Sequence, residues 1–271
     1  MIRQYFTSTK FRQPYAKDWV LVIILLTYFF AVAEKAKPFS REFVAGDSRI
    51  SHPFAEQERV TDQWLYVLAV YLPMVVTIIV CWLTKTWDKY TKLHRTQVAL
   101  VSLLLSAATT GVITDILKCW IANPRPDFLS RCGGSSKMSK RKLYTMEDCT
   151  AKLGELYLYD GMKSTPSGHS SLLFCGLGWL VLFLWGHYSA LTTGKPAYMK
   201  YAFALGPMML ALYVGLSRVQ DYRHHNFDIM LGGIIGGMNG LIGYLHYYHA
   251  PWSSSPTHLV VDEHIESSLP K

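Results

Sequence analysis

The chain has 271 residues, of which 50% are hydrophobic, 14% aromatic and 17% charged. Charge is low for a soluble protein of this size, and the apolar residues come in blocks, so the composition points to the membrane. The formal net charge is +8, but the basic residues fall in loops between apolar segments, which makes nucleic acid a poor partner and favours anionic lipid headgroups or phosphorylated substrates.

Met1–Asp18 is polar and basic, with Arg3, Lys10, Arg12 and Lys17. Trp19–Ala33 is a solid apolar run and the first spanning candidate, somewhat short and flanked by aromatics. Its end, Ala31-Val32-Ala33, resembles a signal-peptidase site, but the long polar stretch before it favours an uncleaved signal-anchor. Glu34–Gln63 is a mixed-charge loop. Trp64–Thr84 is the second span, with Pro73 expected to kink it. Lys85–Arg95 reads as a short loop carrying Lys85, Lys89, Lys92 and Arg95, and Val98–Leu117 is the third span. Lys118–Ser167 is a polar loop of a length that usually has a function. Its Lys137, Lys140, Arg141 and Lys142 read as a solvated basic face. Ser170–Tyr188, Tyr201–Leu216 and Ile229–Tyr248 are the fourth, fifth and sixth spans. Pro251–Lys271 is a polar tail expected to be disordered. The expectation is an all-α integral membrane bundle of six transmembrane helices over 1–250, with a site at one membrane face and a tail over 251–271.

Six spans put both termini on one side, and the ends of spans three and five then share the other side with the starts of four and six. The basic N-terminal segment and the basic Lys85–Arg95 loop favour cytosolic termini and a lumenal or extracellular site. In the sixth span Gly232, Gly233, Gly236, Gly237, Gly240 and Gly243 repeat at spacings of four, leaving a bare face that can pack on another helix of the chain or form a dimer.

The unusual polar residues gather on that second side. Ser217–Asp228 packs Arg218, His224 and Asp228 between two apolar runs, and by itself it reads equally as a functional site or as a basic cluster meeting headgroups. Lys118 and Arg125-Pro126 close span three, and Pro166-Ser167-Gly168-His169 opens span four. Three fixed cations, Lys118, Arg125 and Arg218, with the backbone at Ser167-Gly168 opening a helix, make a phosphate cradle. Two histidines, His169 and His224, supply a nucleophile and a general acid beside it. No carboxylate cluster accompanies them, and the five cysteines include no Cys-x-x-Cys pair, so the residues present require no metal and no cofactor. Asp115, one turn before Lys118, would steady that lysine or cap a packing network. Pro124 and Pro126 would break the helix and turn Arg125 toward the site. Asp221 and Arg223 read as a local ion pair or loop contact, and His225 as pointing away from the site.

Lys118-x6-Arg-Pro, Pro-Ser-Gly-His and Ser-Arg-x5-His-x3-Asp, in that order, resemble the three-part signature of the type 2 phosphatidic acid phosphatase superfamily without a substitution. Within it the chain looks like the fungal diacylglycerol pyrophosphate and lipid phosphate phosphatases, through Arg125–Cys132, Ser164–Ser171 and the first-loop run Ile50–Val60. The resemblance implies that His224 attacks phosphorus, that Asp228 holds its ring, and that His169 protonates the leaving oxygen and then activates water. It implies that Lys118, Arg125 and Arg218 bind the phosphoryl oxygens, with hydroxyl and backbone donors from Ser167 and Gly168. It further implies Mg2+-independent hydrolysis of diacylglycerol pyrophosphate, phosphatidate and lysophosphatidate, and a vacuolar or other secretory-pathway membrane. Sphingoid-base or isoprenoid phosphates are alternative substrates, and a non-enzymatic six-span protein is the alternative of another class. If the long loop is lumenal, oxidising conditions permit a disulfide between Cys132 and Cys149.

Overall fold

The computed structural model describes residues 2–8, 11, 15–133, 138–191, 198–260 and 262, with only the backbone described at 189–191 and 198–203. Its helices are α1 (Ile2–Thr7), α2 (Tyr15–Ala33), α3 (Asp62–Leu83), α4 (Lys89–Ile121), α5 (Phe128–Cys132), α6 (Glu155–Gly161), α7 (Gly168–Leu191), α8 (Tyr198–Gln220) and α9 (Asn226–Tyr247). A two-residue antiparallel ladder pairs β1 (Phe43–Val44) with β2 (Leu143–Tyr144). Among the described residues five helices, α2, α3, α4, α7 and α9, are long and apolar enough to cross a membrane. α8 occupies the place of the expected fifth span as a 23-residue helix with Pro207 inside it, and it is not among those five.

Two boundaries differ from the expectation. The basic stretch taken for a loop is helical from Lys89, because Asp88 caps the first turn by accepting from the Thr91 N–H at 2.9 Å. Lys89, Lys92 and Arg95 are therefore the polar first turns of α4, and hydropathy cannot tell such turns from a loop. The tail is ordered as far as it is described. Leu259 bridges to Tyr248 and is buried, while Asp262 accepts from the Tyr15 hydroxyl at 3.0 Å and lies 2.9 Å from His94 Nε2. Residues 261 and 263–271 of the expected tail and Lys137 of the basic run lie outside the described residues.

The bundle is held by close backbone approach. Gly232, Gly236 and Gly240 of α9 face the backbone of α7, where an added Cβ would run into the carbonyls of Ser167, Ser171 and Cys175. The glycine face thus packs within the chain. Pro73 lies next to a π-helical turn, Val67–Tyr71, and cannot donate to the Ala69 carbonyl one turn back. That carbonyl instead abuts Gly176 of α7, where a side chain would have no room. Hydrogen bonds cross the helices as well: Trp179 Nε1 donates to Ser102 Oγ at 2.9 Å, and Thr114 Oγ1 to Ser171 Oγ at 2.9 Å.

The long loop after α4 folds with the first loop into a cap that has its own core. Phe43 and Ile50 from one meet Phe128, Leu129, Met146, Leu158 and Met162 from the other. The disulfide Cys132–Cys149 closes this cap. The cap carries Arg125, Asp160, Lys163 and Ser164 to the end of the bundle where α4 and α8 finish and α3, α7 and α9 begin.

Candidate active site

A cavity of about 180 Å³ opens at that end of the bundle. Lys118, Arg125, Gly168, His169, Arg218 and His224 all line it. Residues more than one hundred positions apart converge because each sits at a helix end or just beyond it. Lys118 is in the last turn of α4. The chain then leaves the helix through Ala122 in a left-handed conformation (φ 46°), and Asn123-Pro124-Arg125-Pro126 runs back across the bundle end. Gly168 opens α7, and a Cβ there would stand 3.0 Å from Lys118 Nζ, so glycine at this position lets the ammonium close on the helix start.

Each cation has an acidic partner. Lys118 Nζ is 3.1 Å from Asp115, which therefore steadies it. Arg125 donates to the Asp160 carboxylate at 2.7 Å and to the Asp160 carbonyl at 2.8 Å. Burial works against charge on Asp160, but Arg125 and Arg131 outweigh it and hold the carboxyl at about 2. Arg218, 1% exposed, donates to Glu58 at 2.8 Å and to the Val60 carbonyl at 2.7 Å, with Asp221 at 3.5 Å. Asp221 also takes the backbone N–H and guanidinium of Arg59, and Arg131 bridges Asp127 and Asp160. Of the expected ion pair with Asp221 or loop contact, Arg223 makes the loop contact, pairing with Glu58, and it lies 3.8 and 3.7 Å from Asp127 and Asp160. Five arginines (59, 125, 131, 218, 223) thus share four carboxylates (58, 127, 160, 221), leaving one cation in excess.

The two histidines are fixed by backbone carbonyls. His224 Nδ1 is 2.7 Å from the Ser164 carbonyl, which can only accept, so Nδ1 carries the proton and Nε2 the lone pair. Burial, with Arg125 and Lys118 nearby, pushes His224 down to about 3 against the pull of Asp228, so the ring is neutral at neutral pH. His169 Nε2 faces the Val60 carbonyl at 3.2 Å, the same oxygen that Arg218 binds.

Two expected roles are revised by this geometry. Asp228 does not hydrogen-bond the His224 ring, since its nearest oxygen is 3.8 Å from Nδ1. It accepts instead from Ser164 Oγ at 2.6 Å, from Thr165 Oγ1, and from the His225 N–H at 2.8 Å. It fixes the segment whose carbonyl holds the ring, and leaves its charge one step behind. Ser167 is fully buried, with its N–H on the Asp228 carbonyl at 3.0 Å and its hydroxyl accepting from the Ser170 N–H at 3.4 Å. Its backbone donor, expected to face phosphate, ties the start of α7 to the start of α9. His225 points away as expected, toward the Pro124 carbonyl at 3.2 Å.

Sequence reasoning missed Glu58, Val60, Asp160, Lys163, Ser164 and Thr165. They carry no motif of their own, and only the folding of the two loops over the bundle end brings them in. The one signal was that Ile50–Val60 and Ser164–Ser171 already stood out as family-like runs.

Residues 99–252, more than half of the chain, match the PAP2 superfamily. The chain belongs to the PAP2 superfamily. It is 36% identical over 231 residues to the probable diacylglycerol pyrophosphate phosphatase 1 of Schizosaccharomyces pombe, covering 83% of this chain and 78% of that protein. It is 36% identical over 221 residues to the diacylglycerol pyrophosphate phosphatase 1 of Saccharomyces cerevisiae, covering 81% and 75%. To the lipid phosphate phosphatase 2 of Arabidopsis thaliana it is 34% identical over 241 residues, covering 87% and 78%. No solved structure matches. The three PAP2 signature segments are the three that meet at the cavity.

Proposed function

We propose that this PAP2 protein is a six-span membrane phosphatase that hydrolyses the phosphate headgroups of diacylglycerol pyrophosphate, phosphatidate and lysophosphatidate without a divalent metal. Its site lies at the membrane boundary on the lumenal or extracytoplasmic side of a vacuolar or other secretory-pathway membrane. The observation that carries the reaction is the meeting of Lys118, Arg125 and Arg218 with His169 and His224 in one cavity. The relatives' printed names support the substrates. The Cys132–Cys149 bond in the cap supports an oxidising compartment.

The chemistry follows from the tautomers. The Nε2 lone pair of His224 attacks phosphorus, and the bond from phosphorus to the leaving oxygen breaks. The leaving group is the glycerol oxygen of a monoester or the inner phosphate of a pyrophosphate. As the N–P bond forms, the imidazole gains a positive charge. Its Nδ1–H stays on the Ser164 carbonyl, and the Asp228 carboxylate 3.8 Å away opposes that charge. Lys118, Arg125 and Arg218 meet the charge that builds on the phosphoryl oxygens. His169 has Nε2 committed as a donor to Val60, so only its imidazolium form, favoured by the charge of the bound phosphate, carries an Nδ1–H as well, and that proton goes to the leaving oxygen and leaves the ring neutral. In the second step Nδ1 takes a proton from water, which attacks phosphorus and releases orthophosphate and free His224.

Full-length protein purified in detergent should release phosphate from phosphatidate micelles with EDTA present, and His224→Ala should abolish the release. Loss of activity on chelation, or turnover by the alanine variant, would refute the mechanism. Diacylglycerol pyrophosphate, sphingosine phosphate and an isoprenoid phosphate assayed in parallel rank the headgroup and the lipid.

A further inference from the structure

The first loop places a carboxylate where a phosphoryl group would bind. Glu58 lines the cavity with both histidines, and its two oxygens span two guanidiniums: one is 2.8 Å from Arg218 Nη2, the other binds Arg223 Nη2. Arg223 lies among the unspecified positions of the third signature segment and was expected to make a local ion pair or a loop contact. It nevertheless lines the cavity and is 8% exposed, and among the described residues Glu58 is the only hydrogen-bond acceptor of its guanidinium. Its Nε and Nη1, and Nε of Arg218, find no acceptor among the described residues. Asp127 and Asp160 stand too far from Nη1 to accept, at 3.8 and 3.7 Å, and Arg131 holds both of them.

Buried guanidinium N–H groups without acceptors are costly, and two guanidiniums that share Glu58, with only a 3.5 Å contact from Arg218 to Asp221 beside it, are under-neutralised. A carboxylate brings two oxygens and one charge. A phosphoryl group brings three oxygens and up to two charges, and matches the guanidinium fork equally well. The network around the site is one cation in excess before any ligand arrives. Glu58 itself is on a loop, and its side chain is 17% exposed, so it can turn out to solvent without unfolding a helix.

Resting on the phosphatase chemistry above, we propose that Arg223 is a fourth phosphoryl-binding cation and that Glu58 is an internal stand-in for the phosphoryl group, bridging Arg218 and Arg223 until substrate displaces it. Glu58 then keeps the two arginines aimed and apart while the site is empty. It also competes with product orthophosphate, which helps the site clear after each turnover.

The test uses orthophosphate itself, titrated calorimetrically into the full-length protein in detergent, so that no lipid turnover is needed. Arg223→Met should weaken orthophosphate about tenfold or more, as the loss of a charged hydrogen-bond pair implies. Glu58→Gln removes the competing charge and should tighten orthophosphate by at least about threefold. A gain in affinity cannot come from misfolding, so this second variant stands even if the first fails to fold. Unchanged affinity in Arg223→Met, or weaker affinity in Glu58→Gln, would overturn the proposal; the latter would make Glu58 a permanent positioning residue. If the unaltered protein binds no orthophosphate, the cavity is not a phosphate site and both proposals fall. If it binds orthophosphate but hydrolyses no lipid phosphate, the phosphatase reaction fails while the arginine pair and its stand-in remain.

Discussion

Asp228→Asn separates the two jobs that the carboxylate performs. Asp228 is 1% exposed and accepts three hydrogen bonds that fix Ser164, Thr165 and the start of α9. An asparagine of the same shape keeps one acceptor oxygen, and the Ser164 and Thr165 hydroxyls can turn to accept from its amide. What is lost without compensation is a negative charge 3.8 Å from the His224 ring. Two unit charges at that separation, with an effective dielectric constant of about 20, interact by about 4 kcal/mol. The ring is neutral before the reaction and positive once the N–P bond forms, so nearly all of that difference falls on the transition state. At about 1.4 kcal/mol per power of ten, kcat should fall about a thousandfold while KM changes little. Phosphate release from phosphatidate micelles measures both, and the thermal midpoint in detergent reports on folding. Thr165→Val removes one donor to the same carboxylate but no charge, and should stay within about tenfold of the parent. A folded Asp228→Asn protein that keeps more than a tenth of the parent kcat would refute the electrostatic role.

The neutral, buried His224 also sets a pH dependence of stability. Its folded pKa is depressed to about 3, so between about 6.5 and 3 the unfolded chain takes up a proton that the folded one does not, and stability falls as pH falls through that window by up to about 1.4 kcal/mol per unit. His224→Gln removes that contribution, so its thermal midpoint should decline less than the parent's between pH 7 and 5; an unaltered slope would show that the ring is not held neutral. Gly236→Leu should lower the thermal midpoint and abolish activity together, because its Cβ runs into the Ser171 carbonyl and overpacking of this kind costs about 1–3 kcal/mol or more. Normal activity in that variant would mean that α7 and α9 do not meet at this face.

The apolar blocks and the three signature segments were legible because each is written in neighbouring residues. A run of hydrophobic side chains long enough to cross a bilayer is its own evidence, and Lys118, Arg125, His169, Arg218 and His224 stand at the ends of such runs. Their convergence is then a matter of which ends share a side. What stayed hidden depends on contacts across the chain. Lys89–Arg95 reads as a loop until Asp88 is seen capping a helix, and hydropathy cannot distinguish a solvated first turn from a connection. Leu259 and Asp262 lie in an unpatterned polar tail, and nothing in it announces Tyr248, Tyr15 and His94 as their partners. The family resemblance pairs the ring of His224 with Asp228. In the folded chain the ring meets the Ser164 carbonyl and the carboxylate meets the Ser164 hydroxyl, and no periodicity could reveal that, because Ser164 reaches the site from the other loop.

The Val60 carbonyl serves two masters. It holds Arg218 at 2.7 Å and the His169 ring at 3.2 Å, so the proposed phosphate anchor and the proposed proton carrier hang from a single peptide unit. No exchange of the valine side chain can remove that oxygen, but anything that shifts the path of the first loop moves both groups at once and in the same direction. Glu58, Arg59 and Asp62 flank it and are each fastened to, or set beside, a different partner at the site. The path of the loop between α2 and α3, more than the side chain at Val60, therefore sets where both groups stand over the end of the bundle.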